Sequence, residues 1–245
     1  MKPFYCRIGS KYLMAEEIIS YFPDHLIYVE PFVGGGGVFW KKEPSPAEVI
    51  NDLDKGLIDA YKLIKKTSSD NSKYRQDLNT IQKLEAFLNK KNVSIEDKIT
   101  EQIIRRCDGF SVQFIGKNNK VYKPSNPYYK LQNIKDYKIR IKETIIKNED
   151  YKKIIHDYDT DKTLFYLDPP YEESRTLYKH FDMDYVEMAD ILKKIKGKFL
   201  LSINASPYIR KVFKDFKIIE IKLKTYAPKH AKIGGKKRIE LLIMN

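Results

Sequence analysis

The stretch Leu164-Phe165-Tyr166-Leu167-Asp168-Pro169-Pro170-Tyr171 constrains the fold of this chain more than any other. Four large apolar side chains in a row suit a strand buried on both faces, as in a parallel sheet flanked by helices. The prolines then forbid continuation, because each fixes φ and lacks the N–H that a ladder needs. The strand therefore stops with a carboxylate at its C-terminal end, where open α/β sheets bind ligands. The prolines leave carbonyls free to accept, Asp168 accepts when ionised, and Tyr171 offers an aromatic face to a planar base. A rigid turn after a strand is the plainer alternative.

Two blocks of alternating strand and helix surround this stretch. In the first, residues 11–21 have helical spacing through Leu13, Met14, Ile18 and Ile19. Leu26-Ile27-Tyr28-Val29 reads as a buried strand, residues 38–42 as the opening of a helix, residues 48–52 as a second strand and residues 57–64 as a helix. The second block begins near Ile139, with strands predicted at 144–146, 164–167 and 199–203, a helix at 185–195, and a final strand pair at 216–223 and 239–244. Such βαβ alternation predicts an α/β fold around a parallel sheet. Between the blocks polar residues dominate. There we expect an inserted lobe over 67–136, with helices near 74–88 and 95–106 and a loop or hairpin at Asn118-Asn119.

A second ligand feature lies in the first block. Glu30-Pro31-Phe32-Val33-Gly34-Gly35-Gly36-Gly37 places a glycine-rich turn directly after a strand, and glycine lets the backbone take positive φ and approach a ligand closely. No phosphate-gripping G-x-x-x-x-G-K-[ST] is present. Asp52 ends the second strand, where a nucleotide fold places a carboxylate to accept from ribose hydroxyls; an N-cap of the following helix is the alternative. A dinucleotide cofactor stays open on this turn alone.

The Asp-Pro-Pro-Tyr end narrows the chemistry. An exocyclic aromatic amine is a poor nucleophile because its lone pair is delocalised into the ring. Asp168 and the Pro169 carbonyl can bond its two protons and favour a pyramidal nitrogen, which then attacks a sulfonium methyl in line. Positioning and electrostatic stabilisation supply the acceleration, with no metal or covalent intermediate.

Taken together, these motifs resemble the Dam-type (alpha-group) DNA adenine-N6 methyltransferase family across nearly the whole chain, most strongly at 28–61 and 164–171. The resemblance implies a class I S-adenosylmethionine-dependent methyltransferase with a Rossmann-like sheet. Its catalytic domain would span 1–66 and 137–245, and a mainly helical target-recognition domain would be inserted at 67–136. It also implies double-stranded DNA as substrate, with the target adenine flipped out. Gly9-Ser10-Lys11 resembles the family's Gly-Gly-Lys entry, so Lys11 is expected to contact the cofactor, S-adenosyl-L-methionine. Arg7 stands where the family commonly has tryptophan. Glu30, Pro31, Phe32, Gly34, Gly35 and Gly36 would line the cofactor's methionine end, Asp52 its ribose, and Asp150 with Tyr151 its adenine. Asp168, Pro169, Pro170 and Tyr171 would form the catalytic tetrapeptide, with Asp168 also bordering the cofactor.

The same resemblance places the DNA contacts. Arg106, Phe110 and Ser111 lie in a segment like the family's Gly-Tyr-Asn, which makes Phe110 the wedge and Ser111 a phosphate contact. Ile115 falls near an arginine typical of members reading GATC, so a different target is expected. Lys117, Asn118, Lys120 and Lys123 flank a loop tip that can follow phosphates. Residues 222–238 hold seven Lys or Arg and no acid, and include Lys236, Lys237 and Arg238. Tyr178, Phe181 and Asn204 are candidates for shaping the base pocket.

Composition agrees with this direction without deciding it. A formal net charge of +13 over 245 residues favours a polyanion, although solubility accounts for part of such an excess. Cys6 and Cys107 stand alone, as free thiols in a reducing compartment would. Neither follows a proline, which excludes the thiolate route to cytosine C5. No apolar run is long enough to span a bilayer and the start lacks a secretory signal, so a cytoplasmic, membrane-free location is expected. RNA adenine methylation and a catalytically silent DNA-binding module remain the alternatives. A cognate restriction endonuclease is a candidate partner, and the oligomeric state is open.

Overall fold

The structure, a computed structural model, describes residues 1–3, 10–68, 80–106, 134–171, 183–222 and 239–245. Among these, seven strands form one sheet: β1 (Ile27–Glu30), β2 (Ala47–Asn51), β3 (Ile145–Lys147), β4 (Thr163–Leu167), β5 (Lys198–Asn204), β6 (Lys217–Lys222) and β7 (Ile239–Met244). Their order is β3-β2-β1-β4-β5-β7-β6. All neighbours are parallel except β7, which runs antiparallel to both β5 and β6. The order reverses between β1 and β4, so the chain leaves these two strands in opposite directions and opens a crevice at their C-terminal ends. This is the Rossmann-like sheet that the sequence motifs predict.

The apolar runs have a direct cause. Tyr28, Leu164, Tyr166, Leu200 and Leu242 join one buried cluster, whereas Val29, Phe165, Leu167, Leu201 and Ile243 join another. Alternate residues of each strand thus feed cores on opposite sides of the sheet, and both sides are covered by helices. Helices α2 (Lys55–Lys66), α4 (Ile95–Arg106) and α5 (Ile134–Ile141) pack on the first side, where Leu57, Tyr61, Ile64, Ile99 and Ile134 share one cluster. Helices α6 (Tyr151–Tyr158), α7 (Tyr185–Leu192) and α8 (Pro207–Val212) supply Ile154, Leu192 and Ile209 to the second. Local chemistry starts several of them: Asp54, Asp184 and Ser206 each accept from a backbone N–H of the first turn. The remaining helix of the intervening segment, α3 (Ile81–Leu88), is capped by Thr80.

The structure departs from the sequence expectations at three places. Residues 11–21 form a 3-10 turn, Lys11–Leu13, followed by a short α1 (Ala15–Ile19), because Lys11 is drawn inward by carboxylates. Residues 38–42 form turns instead of opening a helix. Val38, Phe39, Trp40 and Lys42 are all buried, and Lys41 alone of the five reaches solvent. Residues 134–141, near the expected start of the second block, are helical. Among the described residues no helix is long and apolar enough to cross a membrane.

Candidate active site

The C-terminal ends of β1, β2 and β4 converge through the glycine turn. Gly34 and Gly36 hold φ of 49° and 69°, a left-handed conformation that side chains resist. At Gly36 a Cβ would lie 2.8 Å from both Trp40 Nε1 and the Tyr61 hydroxyl, and at Gly37 it would lie 2.7 Å from the Tyr12 backbone nitrogen. Val33 N–H donates to the Asn51 carbonyl, and Gly34 N–H donates to Asp52 Oδ2 at 2.9 Å. Asp52 Oδ1 also accepts from Asp54 N–H, while Asp54 itself caps α2. Asp52 is therefore a brace of the turn, and the capping alternative belongs to its neighbour.

Lys11 connects this turn to the end of β4. Its backbone nitrogen lies 3.0 Å from the position of a Gly37 Cβ, and its Nζ reaches Asp168 Oδ1 at 2.5 Å and Glu240 Oε1 at 3.4 Å. Lys11 is buried, and burial lowers its proton affinity, but Asp168 and Glu240 outweigh this and hold the ammonium charged well above its ordinary value. For Asp168 burial wins: its carboxyl is raised despite the attraction of Lys11. Its side chain keeps 22% of its exposure, so the group is lodged at a mouth and not sealed in the core.

Tyr171 donates its hydroxyl to Glu240 at 2.8 and 3.1 Å, and the Lys11 ammonium stands 4.7 Å from its ring centre. The ring face toward Lys11 is thus covered by a cation. Tyr185 donates to the Pro170 carbonyl and fixes the proline turn against α7. Pro169 is buried and Pro170 partly so.

On the β1 side, Glu30 is 2% exposed and accepts from the Tyr28 hydroxyl at 2.6 Å. Burial pushes its carboxyl up to about 8 against that bond, and Asp168 adds to the rise. Phe32 packs against Tyr151, ring centres 5.2 Å apart. Asp150 caps α6 by accepting from Lys152 N–H. The Tyr151 hydroxyl is buried with no hydrogen-bond partner among the described residues.

Two residues of this site were not anticipated. Asn51 donates Nδ2 to the Pro31 and Glu149 carbonyls at 3.0 and 2.9 Å and accepts from Glu149 N–H at 2.9 Å, tying the loops after β1, β2 and β3 together. Glu240 is the only acid in Ile239–Met244, and a lone carboxylate amid Leu241, Leu242 and Ile243 was the signal available for it. Asn204, opposite Glu240 in the β5–β7 register, has a buried Oδ1 without a partner among the described residues. Arg106 ends α4. Arg7, Phe110, Ser111, Lys117, Asn118, Lys120, Lys123, Tyr178, Phe181, Lys236, Lys237 and Arg238 lie outside the described residues.

Known proteins resemble this chain throughout. One relative, the type II methyltransferase M1.LlaDCHI of Lactococcus lactis subsp. cremoris, is 27% identical over 100% of this chain and 95% of its own length. The DNA N-6-adenine-methyltransferase of Escherichia phage P1 is 25% identical over 84% of this chain, which matches 30% of that longer protein. The type II methyltransferase M.CviBI of Paramecium bursaria Chlorella virus NC1A is 23% identical, covering 88% of each chain. These relatives do not favour the RNA or the silent-module alternative. The D12 class N6 adenine-specific DNA methyltransferase family matches residues 8–226, from the turn that carries Lys11 past the end of β6, and the chain belongs to that family of DNA adenine-N6 methyltransferases.

Proposed function

We propose that this chain moves the methyl group of S-adenosylmethionine to N6 of an adenine flipped out of double-stranded DNA. The observation that supports it most is the position of Lys11, which lies with its backbone on the glycine turn and its ammonium on Asp168 at 2.5 Å. One residue thus brings the two motifs of the site together.

The residues present fit the cofactor. Gly34 and Gly36 give the turn a left-handed backbone free of side chains, Glu30 and Asp168 are carboxyls suited to a cation, and Tyr151 offers an unused buried hydroxyl beside Phe32. In this reading Lys11, Glu30, Pro31, Phe32 and Gly34 to Gly36 hold the methionine end, Asp52 the ribose, and Asp150 with Tyr151 the adenine. When bound, the cofactor supplies a methyl group on a sulfonium sulfur.

The chain's own residues prepare the acceptor. With Oδ1 held by Lys11, the other Asp168 oxygen accepts a hydrogen bond from one N6–H and the Pro169 carbonyl accepts one from the second, which favours a pyramidal nitrogen with its lone pair directed outward. Tyr171 stacks on the base with the ring face away from Lys11. As N6 becomes cationic, the Asp168 carboxylate stabilises it and accepts the proton released. Its raised proton affinity favours that transfer.

The target-recognition role stays with 67–136, and the DNA contacts with Arg106, Phe110, Ser111, Lys117, Asn118, Lys120, Tyr178, Lys236, Lys237 and Arg238. A cognate restriction endonuclease is the proposed partner, in keeping with the type II designation of two relatives. Methyl transfer from labelled cofactor to duplex DNA, with RNA in parallel, tests the reading. Asp168→Ala is expected to lower transfer to adenine at least about a hundredfold while cofactor binding by thermal shift survives. Transfer at the wild-type rate by that variant refutes the assigned role.

A further inference from the structure

We infer that Glu240 is a positioning residue for methyl transfer, anchoring the Tyr171 ring and sharing the Lys11 ammonium with Asp168. This rests on the reading of Asp168 and Tyr171 given above. Glu240 sits in β7, 2% exposed, followed by three leucine or isoleucine residues that are each fully buried. An apolar side chain would pack there without the cost of desolvating a carboxylate. Its bonds instead point toward the proposed reaction centre: both oxygens accept from the Tyr171 hydroxyl, and Oε1 lies 3.4 Å from Lys11 Nζ.

The consequence for Asp168 is electrostatic. Lys11 lies between two carboxylates, closer to Asp168 at 2.5 Å than to Glu240 at 3.4 Å. Glu240 draws on the same cation and, when ionised, repels the Asp168 charge. Both effects raise the proton affinity of Asp168. The other titratable groups facing this cluster are Tyr28 and Glu30 from β1, Tyr166 and Tyr171 from β4 and its end, and Tyr185 from α7. The tyrosines Tyr28, Tyr166 and Tyr171 are all raised, chiefly by burial, and stay neutral, so the charge balance lies with Lys11, Asp168, Glu240 and Glu30, with Lys42 and Glu48 acting on Glu30 from its other side.

Glu240→Gln keeps an acceptor for Tyr171 and removes the charge. Methyl transfer to duplex DNA by wild type and this variant, followed from about pH 5 to about pH 9, reads the effect. The expected result is a kcat lower by about ten- to hundredfold, with the acid limb of kcat/KM displaced to lower pH because Lys11 then serves Asp168 alone. A cofactor-dependent thermal shift like that of wild type shows that the variant folds and loads. Wild-type kcat, or a lowered kcat with the acid limb unmoved as a purely structural role would give, overturns the inference. If Glu240→Gln does not fold, Tyr171→Phe carries the test: it keeps the ring and the Glu240 charge but cuts the anchor. Its kcat is expected to fall with cofactor affinity retained, and an unchanged kcat overturns the inference. Should wild type itself transfer no methyl to adenine, the underlying reading fails and this one with it, which the wild-type measurement distinguishes.

Discussion

Glu30 keeps its proton to about pH 8 because its burial at the end of β1, with Asp168 and Glu48 opposing its charge, outweighs the Tyr28 hydroxyl and the Lys42 ammonium that favour it. A cationic ligand seated beside it favours the ionised form, so loading the cofactor expels a proton and affinity rises with pH up to about 8. Calorimetric titration of cofactor at several pH values, in buffers of different ionisation enthalpy, measures both the slope and the proton. Glu30→Gln is expected to flatten the slope; a wild-type affinity independent of pH contradicts the placement of Glu30 at the cofactor. Stability follows the same sign. The folded proton affinity is above the unfolded one, so this contribution is fully present below the ordinary carboxylate value and lost as pH rises through about 8.

Asn51 does at the level of elements what no single strand does, holding the ends of β1 and β2 and the loop before α6 in one place with three hydrogen bonds. Asn51→Ala is expected to cost about 2–3 kcal/mol, seen as a Tm lower by roughly 5–10 °C, with weakened cofactor binding; an unchanged Tm counts against the clamp. The strands that Asn51 joins were legible in the sequence from their short apolar centres, Ile27-Tyr28-Val29, Val49-Ile50 and Ile145-Ile146. Helices α5 and α6 were not, because IKDYKIRI and YKKIIHDY bury only three residues each and read as polar connectors. The prolines and glycines marked the two loops that Lys11 brings together. Glu240 escaped notice because its partners, Lys11 and Tyr171, are distant in sequence. The bracing role of Asp52 was hidden for the same reason: its bond to Gly34 N–H exists only once β1 and β2 are paired.

Across the molecule, two buried ionic clusters flank Tyr28 and Glu30 of β1, and Glu30 feels Asp168 of one and Lys42 and Glu48 of the other. Lys11, Asp168 and Glu240 form the first, at the proposed ligand site. Lys42, Glu48 and Arg140 form the second, with side chains only 3%, 5% and 8% exposed. There Arg140 spans both Glu48 oxygens, donates to the Phe39 carbonyl and stacks 4.1 Å over the Phe39 ring. A cavity of about 480 Å³ lined by Pro44, Glu48, Ile139 and Thr144 adjoins this second cluster and lies away from Asp168. Burial raises the Glu48 carboxyl, but Arg140 and Lys42 outweigh it and hold it below its ordinary value, so its stabilisation is lost as pH falls through that depressed value. Glu48→Gln strands two cations and is expected to cost about 3–5 kcal/mol, measured as a lower urea midpoint at unchanged slope. Methyl transfer by the folded fraction should stay near wild type. A midpoint equal to wild type refutes the network's role in stability.

The contact between Lys11 and Glu240 joins the glycine turn to β7, which is made after β5 and β6 and enters the sheet between them. During synthesis, then, the glycine turn and the Asp-Pro-Pro-Tyr end emerge first, and Lys11 waits on Asp168 alone until β7 follows. A nascent chain that has emerged only through β6 would hold most of its sheet and still lack the anchor for Tyr171, so the tyrosine ring would settle only when β7 slots in.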